Sequence, residues 1–477
     1  DQDMSRTGKR LDFVADYAVG FDEDGRIEAV EGQWAARCGF AADLSGPVTD
    51  RALFHADNAY FYPHVRLKSR PMKTNTVSNT AFRGFGGPQG VIVAERMIEE
   101  IAYVLGKDTL DIRKANFYGV GERDVTPYHQ KVEDNILERL IGELEETSEY
   151  RKRREEILAF NAKGGILRRG IALTPVKFGI SFTATWYNQA GALLHVYKDG
   201  SLMINHGGTE MGQGLNTKIA QIVAEAFGVS LDAVKITKTT TEKVPNTSAT
   251  AASSGTDLNG MAALDACEQI KARLADYARE KWGVGELRFD GGHVHFGDKD
   301  MSFREFIAGA YMDRVQLSAA GFYKTPEIHW DRASGKGQPF FYFAYGASCS
   351  EVEIDTLTGE YRVTRADVLH DVGRSLNPAI DRGQVEGAFI QGMGWLTTEE
   401  LWWDDKGQLR THAPSTYKIP LASDKPRHFD VRLAEWSENP KRTIKRSKAV
   451  GEPPFMLGIS VFEAIGHAVA YGAEYKA

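Results

Sequence analysis

A few side chains in this sequence stand where their type and neighbours could do chemistry. Glu452 lies in Val450-Gly451-Glu452-Pro453-Pro454, ahead of an apolar run through Leu457, Val461, Ile465 and Val469. Proline disfavours the helical region for the residue before it and suits a helix's first turn. The spacing therefore predicts a helix beginning at the prolines, with Glu452 outside it and its carboxylate held in a fixed direction. Such a carboxylate can simply complement the helix dipole; it is also the residue best placed for catalytic work. Arg83 lies between two phenylalanines in Ser78-Asn79-Thr80-Ala81-Phe82-Arg83-Gly84-Phe85-Gly86-Gly87-Pro88-Gln89. There it offers a fixed charge beside apolar ring faces, although a Gly-Pro turn with two core phenylalanines would read the same way. Gln213 closes His206-Gly207-Gly208-Thr209-Glu210-Met211-Gly212-Gln213, and its amide can both donate and accept, or cap a helix. Arg51, before Ala52-Leu53-Phe54-His55, is on residue type alone a surface arginine in a weak ion pair.

The elements that must position these groups share one device: a loop of small or polar residues opening a helix. After the Arg83 loop, Val91, Ile92, Ala94, Met97, Ile98, Ile101, Ala102 and Leu105 recur at helical spacing and Gly106 reads as the stop. The Gln213 loop leads into Ile219, Ile222, Val223 and Phe227. Ala251-Ala252-Ser253-Ser254-Gly255-Thr256-Asp257 leads into Met261, Leu264, Ile270 and Leu274, and the Glu452 loop is the fourth. Helix N-termini leave backbone N–H groups open and carry positive dipole ends, so four of them suit a large anionic cofactor if they converge.

These four loops, with Lys177-Phe178-Gly179-Ile180-Ser181-Phe182-Thr183 and Asp371-Val372-Gly373-Arg374-Ser375-Leu376-Asn377-Pro378, resemble the molybdenum-binding portion of the xanthine dehydrogenase/xanthine oxidase family over nearly the whole chain. The resemblance implies that Glu452 is the general base. In that mechanism it takes a proton from a molybdenum-bound hydroxyl, the oxygen attacks an electron-poor ring carbon, and hydride passes to a sulfido ligand on the metal. It implies that Arg51 contacts a purine oxygen and that Phe85 and Phe182 hold the ring, one on its face and one on its edge, with Thr183 the neighbouring polar contact. Arg83, Gln213, Ala252 and Ser253 are implied to hold molybdopterin, and molybdenum to be held through that cofactor with no direct side-chain ligand. Electrons then leave through 2Fe-2S clusters and FAD toward NAD on another segment or subunit, the complete assembly being a dimer. The family's upstream loop, with its substrate-binding glutamate, is expected before Asp1-Gln2-Asp3-Met4. Without that glutamate, the choice of hypoxanthine and xanthine over aldehydes or other N-heterocycles rests on Arg51. A noncatalytic nucleotide- or phosphate-binding module would use the same helix N-termini without metal or Glu452, but no Gly-x-x-x-x-Gly-Lys-Ser/Thr supports an NTPase version.

Composition narrows the classes further. The chain has 477 residues, 58 basic against 65 acidic, a net charge of -7, so it is long enough for about three domains and offers no basic footprint for nucleic acid. Arg151-Lys152-Arg153-Arg154 is followed by two glutamates and reads as a solvated helix face. Three scattered cysteines and no Cys-x-x-Cys make a disulfide framework, structural zinc or a protein-ligated cluster an unsuitable reading. No apolar run reaches membrane-spanning length and no signal-peptide pattern opens the chain, which predicts a soluble, cytoplasmic protein.

Residues 1–60 read as strand-rich, with a hairpin of 13–21 and 26–31. Helices are expected over 108–115 and over 133–161, before Ala162-Lys163-Gly164-Gly165 marks a boundary. That divides 1–162, the remainder of a first pterin-binding subdomain pair, from 163–477, a second pterin-binding domain. Further hairpins are expected at 193–205 and 347–363, and Gly383, Gly387, Gly392 and Gly394 dot an apolar helix, which suggests close packing of backbones. Strands and helices alternate without a βαβ period, so the fold class is α+β: several mixed subdomains around a cofactor cleft.

Overall fold

A computed structural model describes Gln2–Gly472 except Pro245. The chain forms two compact units, one of residues 1–183, 330–440 and 450–477, the other of 184–329 and 441–449. These units divide the chain differently from the boundary at 162/163. The reason is the strand Leu167–Ile180, which pairs along its whole length with Tyr342–Asp355 and so ties the stretch after 163 to the first unit.

In the first unit, a four-stranded sheet runs in the order His428–Leu433, Tyr361–His370, Tyr342–Asp355, Leu167–Ile180. Its last three strands are antiparallel and His428–Leu433 joins in parallel. Nearly every residue of Leu167–Ile180 and Tyr342–Asp355 is buried, so neither strand shows the alternation that marks a half-exposed one. The Ile459–Gly472 helix packs on the edge strand Leu167–Ile180 and on its neighbour Tyr342–Asp355. It comes so close that a Cβ on Gly170 would stand 1.9 Å from Ala464 O. A second sheet pairs Phe13–Phe21 antiparallel with Ile27–Gly39, which then pairs in parallel with His64–Lys73. The core joins Trp34, Phe54, Tyr60, Met97, Ile101, Leu140, Phe340 and Tyr345. Buried charge is paired within it. Arg113 donates to Glu95 at 2.9 Å and to Glu99 at 2.6 Å, and Asn58 and Tyr60 complete the Glu95 carboxylate.

The second unit holds a four-stranded sheet ordered Ser318–Lys324, Gln189–Val196, Leu202–His206, Val234–Ile236, against which the Gly255–Trp282 and Leu215–Ala226 helices lie. The mixed, largely antiparallel arrangement is the expected α+β class, and the three expected hairpins form.

Several expectations change. Residues 45–54 are a helix, not part of a strand-rich run, and Arg51 is on its last turn. The helix expected over 133–161 is two, Leu137–Thr147 and Tyr150–Ala162, broken where Glu149 turns left-handed at φ 54°. Arg153 donates to Ser148 O at 3.0 Å and holds that corner. An 18-residue stretch, Pro453–Ala470, is long and apolar enough to cross a membrane by length and composition, contrary to the expectation that no run is. It is 72% buried, as a core helix on a two-sided buried sheet must be.

Candidate functional site

The four loops pair off inside the units. In the first unit, the Arg83 loop meets the Glu452 loop. Gly84, Phe85 and Gly86 all take positive φ, 94°, 53° and 100°, which swings the chain into the Gly87–Leu105 helix. A Cβ on Gly86 would lie 2.0 Å from Val48 O, so only glycine lets the loop press on the Ser45–Phe54 helix. Phe85, left-handed without that excuse, carries strain of about 1–2 kcal/mol and packs, partly buried, on Leu11, Ala36, Cys38 and Val48. The cap Gly86 supplies no side-chain hydrogen bond to the helix start.

Arg83 reaches across to the other loop. Its Nε donates to Gly451 O at 2.6 Å, Nη1 to Gln391 Oε1 at 3.3 Å and Nη2 to Gln384 O at 3.4 Å. Burial draws its pKa down to about 10, with Glu452 acting the other way. The Gly84 N–H in turn donates to Glu452 Oε1 at 3.1 Å. Glu452 itself sits in the helical region, φ -92° and ψ -40°, contrary to the expectation drawn from the following proline. Two contacts hold it there: Arg83 on the preceding carbonyl, and Phe455 N–H donating to Glu452 O at 3.0 Å. The prolines open a tight 3₁₀ turn, Pro453–Gly458, and the α-helix follows only at Ile459.

Arg51 is not a surface arginine. It is 2% exposed, stacked on Phe178 and Phe340 with its guanidinium carbon 4.7 and 5.0 Å from the ring centroids. Nη1 donates to Ser181 O at 2.7 Å and Nη2 to Gly179 O at 2.5 Å, which braces the strand end just before Phe182 and Thr183. Each of these nitrogens keeps a second N–H. Burial lowers its pKa, and the charge of Glu452 opposes that shift. His55 ties the same helix to the same strand: Gly179 N–H donates to Nε2 at 3.1 Å and Nδ1 lies 3.0 Å from Arg51 O. Burial holds this imidazole far below its usual pKa, so it is neutral. Phe182 and Thr183 are half-buried, and Phe341 N–H on Ser181 Oγ at 3.2 Å is a second brace on their loop.

In the second unit, Thr209 N–H donates to Thr250 Oγ1 at 2.8 Å and joins the two remaining loops. Gln213 spends its amide locally, accepting from Met211 N–H at 2.5 Å and donating to Thr209 O at 2.8 Å. It is not the helix cap; that is Gly214, φ 77°. Ala252 and Ser253 follow one another at φ 55° and 57°, a strained bend opening the Gly255–Trp282 helix.

Glu210, not among the candidates read from the sequence, is the anchor of the Gln213 loop. Its carboxylate collects the N–H groups of Gly212, Gly214 and Asn216 at 2.8–3.0 Å. Burial would raise its pKa, but those donors carry it below the usual value. A glutamate among glycines ahead of an apolar helix was the available signal. Gln391, on the glycine-dotted helix Pro378–Leu396, was also missed, and nothing local marks it as a partner of Arg83.

The donor set suits an anionic organic cofactor: strained backbone turns at helix starts and a buried arginine. Among the described residues, no group of three or more His, Cys, Asp or Glu side chains is placed to hold a metal ion.

The chain is 49% identical over 98% of its length to a xanthine dehydrogenase of Dictyostelium discoideum and 46% identical over 98% to a xanthine dehydrogenase/oxidase of Felis catus. It spans about a third of each, 33% and 34% of their lengths. Among solved structures, a Cu,Mo-CO dehydrogenase superposes at TM-score 0.86 with 23% identity, over 98% of this chain and 60% of that one. Quinoline 2-oxidoreductase from Pseudomonas putida 86 does so at 0.83 with 24%, over 98% and 61%. Two molybdopterin cofactor-binding domain profiles match, one over residues 1–117 and the other over 143–426. The chain belongs to the molybdopterin cofactor-binding domain family.

Proposed function

We propose that this chain is the molybdenum-site portion of a hydroxylase that oxidises hypoxanthine and xanthine to urate, with Glu452 as its base. The observation that carries the reading is the junction of two loops 368 residues apart, where Arg83 grips the backbone before Glu452 and Gly84 N–H holds its carboxylate. A base must be aimed before its pKa matters, and this junction aims one. When bound, the pterin-held molybdenum with its sulfido ligand supplies the two-electron oxidant and the oxygen transfer. Arg83, Gln213, Ala252 and Ser253 would hold that group. Phe85 and Phe182 hold a flat ring, one on its face and one on its edge, and Thr183 gives it a polar contact. Arg51 turns its remaining N–H groups on the ring oxygen that gains charge, where a fixed cation in a dry site is worth most. Glu452 takes the proton that must leave for attack on the ring carbon.

Electrons leave through 2Fe-2S clusters and FAD, with NAD as acceptor, on another segment or subunit of a dimeric assembly. A cytoplasmic location suits three buried free cysteines. The test is molybdenum and pterin content of the complete enzyme together with turnover of xanthine and of aldehydes. Bound molybdenum with urate formation supports the reading. Turnover of aldehydes alone keeps Glu452 and overturns the purine assignment, and an intact assembly without molybdenum overturns the hydroxylase.

A further inference from the structure

Arg10 is assigned no part in the site above, yet it touches three of the segments that build it. Its guanidinium carbon lies 4.6 Å from the Phe82 ring centroid, 4.5 Å from that of Phe455 and 5.4 Å from that of Trp395. Its Nη2 donates to Arg83 O at 2.8 Å, and its backbone bridges to Thr80. Phe82, Thr80 and Arg83 belong to the Arg83 loop, Phe455 to the turn that follows Glu452, and Trp395 to the helix whose Gln391 Arg83 also grips. Among the described residues Nη1 is buried with no hydrogen-bond partner, so the ring contacts and one carbonyl keep the side chain in place.

The electrostatics agree with a retained cation. Burial draws the Arg10 pKa down to about 9, and Glu399, Tyr417 and Glu452 pull it back up while Arg83 opposes them. Glu399 is itself oriented by the Tyr417 hydroxyl at 2.6 Å. A planar guanidinium can lie against two rings and donate in its own plane at the same time, whereas an ammonium gives a ring contact and a hydrogen bond with less reach and no fixed plane.

We propose that Arg10 is a positioning residue that clamps the Arg83 loop to the Glu452 turn and so sets where the Glu452 carboxylate points. The proposal rests on Glu452 being the base. Arg10 touches no reacting atom; it acts through the backbone on either side of the Gly84–Glu452 hydrogen bond.

The test compares Arg10→Met, Arg10→Lys and Glu452→Gln in the complete enzyme, with turnover counted per bound molybdenum. Methionine keeps much of the volume and removes both charge and in-plane donors. Arg10→Met is expected to keep its molybdenum and its KM within about threefold and to lose roughly 10–100-fold in kcat, the scale of a small misplacement of a catalytic group. Arg10→Lys, which restores the cation, is expected to recover part of that loss. In the Glu452→Gln background, Arg10→Met is expected to cost little more, because both changes disable one unit. Wild-type kcat in Arg10→Met, a loss that merely tracks lost molybdenum, or a lysine variant no better than methionine would overturn the clamp. Full turnover in Glu452→Gln alone would instead overturn the base on which it rests.

Discussion

With Glu452 as the base, Gly392→Ala should slow turnover of the complete assembly sharply, whereas Gly387→Ala, on the same Pro378–Leu396 helix, should not. A Cβ on Gly392 would stand 1.9 Å from Phe455 O and 3.0 Å from Phe455 C. Carbon and carbonyl oxygen normally approach no closer than about 3.3 Å, so the turn must retreat by about 1.4 Å or the helix must yield. The reverse face is just as tight, with a Cβ on Gly458 falling 2.3 Å from Met393 N. Overpacking of this kind costs about 1–3 kcal/mol, offset by the 0.5–1 kcal/mol or so that alanine gains in a helix. The larger effect is on chemistry. Phe455 N–H closes on Glu452 O, so a displaced Phe455 carries the carboxylate with it, and a shift near 1 Å is worth about 10²-fold. Gly387 faces open space, with no heavy atom within 4 Å of its Cβ. Alanine there should add about 0.5–1 kcal/mol of stability and leave kcat alone. Thermal unfolding and kcat per bound molybdenum, measured on both variants of the complete enzyme, decide it. Equal kcat in Gly392→Ala and wild type, or an equal loss in Gly387→Ala, would refute the reasoning.

Two further expectations concern stability. Lys177 Nζ lies 3.4 Å from Asp57 Oδ2 with both side chains 1% exposed, and burial pulls the lysine pKa down and the aspartate pKa up. Lys177→Met strands that carboxylate and should cost about 3–5 kcal/mol in denaturant unfolding, while adding Asp57→Asn should recover part of it; a loss under about 1 kcal/mol would contradict this. His467 accepts Ile171 N–H at 3.2 Å, and burial, helped by Arg154, holds its pKa near 4. The unfolded chain takes the proton first, near pH 6.5, so stability is full above that pH and falls as pH drops toward 4. The loss is about 3.4 kcal/mol for the 2.5-unit difference. His467→Gln should flatten this slope in a pH series of unfolding midpoints, and an unchanged slope would exclude His467 as its source.

Much of the scaffold could be read from local pattern. The Gly87–Leu105 helix announces itself by period and by Gly106, and the hairpins by their turn residues, because those signals depend on near neighbours. The strand Leu167–Ile180 is buried on both faces, so it carries no alternation to detect. The Arg51 helix includes Gly46 and Pro47 and buries one arginine that residue type alone would put at the surface. The site loops were legible as helix openings, but what joins them was not. Arg83 to Gly451, Arg10 to Phe455 and Lys177 to Asp57 are contacts over long separations, and no local rule encodes them. Glu452 shows the limit of a correct local rule: proline disfavours its conformation, and a hydrogen bond from distant Arg83, with one from Phe455 in the following turn, imposes it.

The central claim is that Glu452 moves the proton, and Glu452→Gln in the complete enzyme tests it most directly. Glutamine keeps the shape and can still accept the Gly84 N–H but cannot serve as the base. The account predicts wild-type molybdenum and pterin content with xanthine turnover per molybdenum reduced by at least about 10²–10⁴-fold. Turnover at the wild-type rate with the same molybdenum content would contradict it.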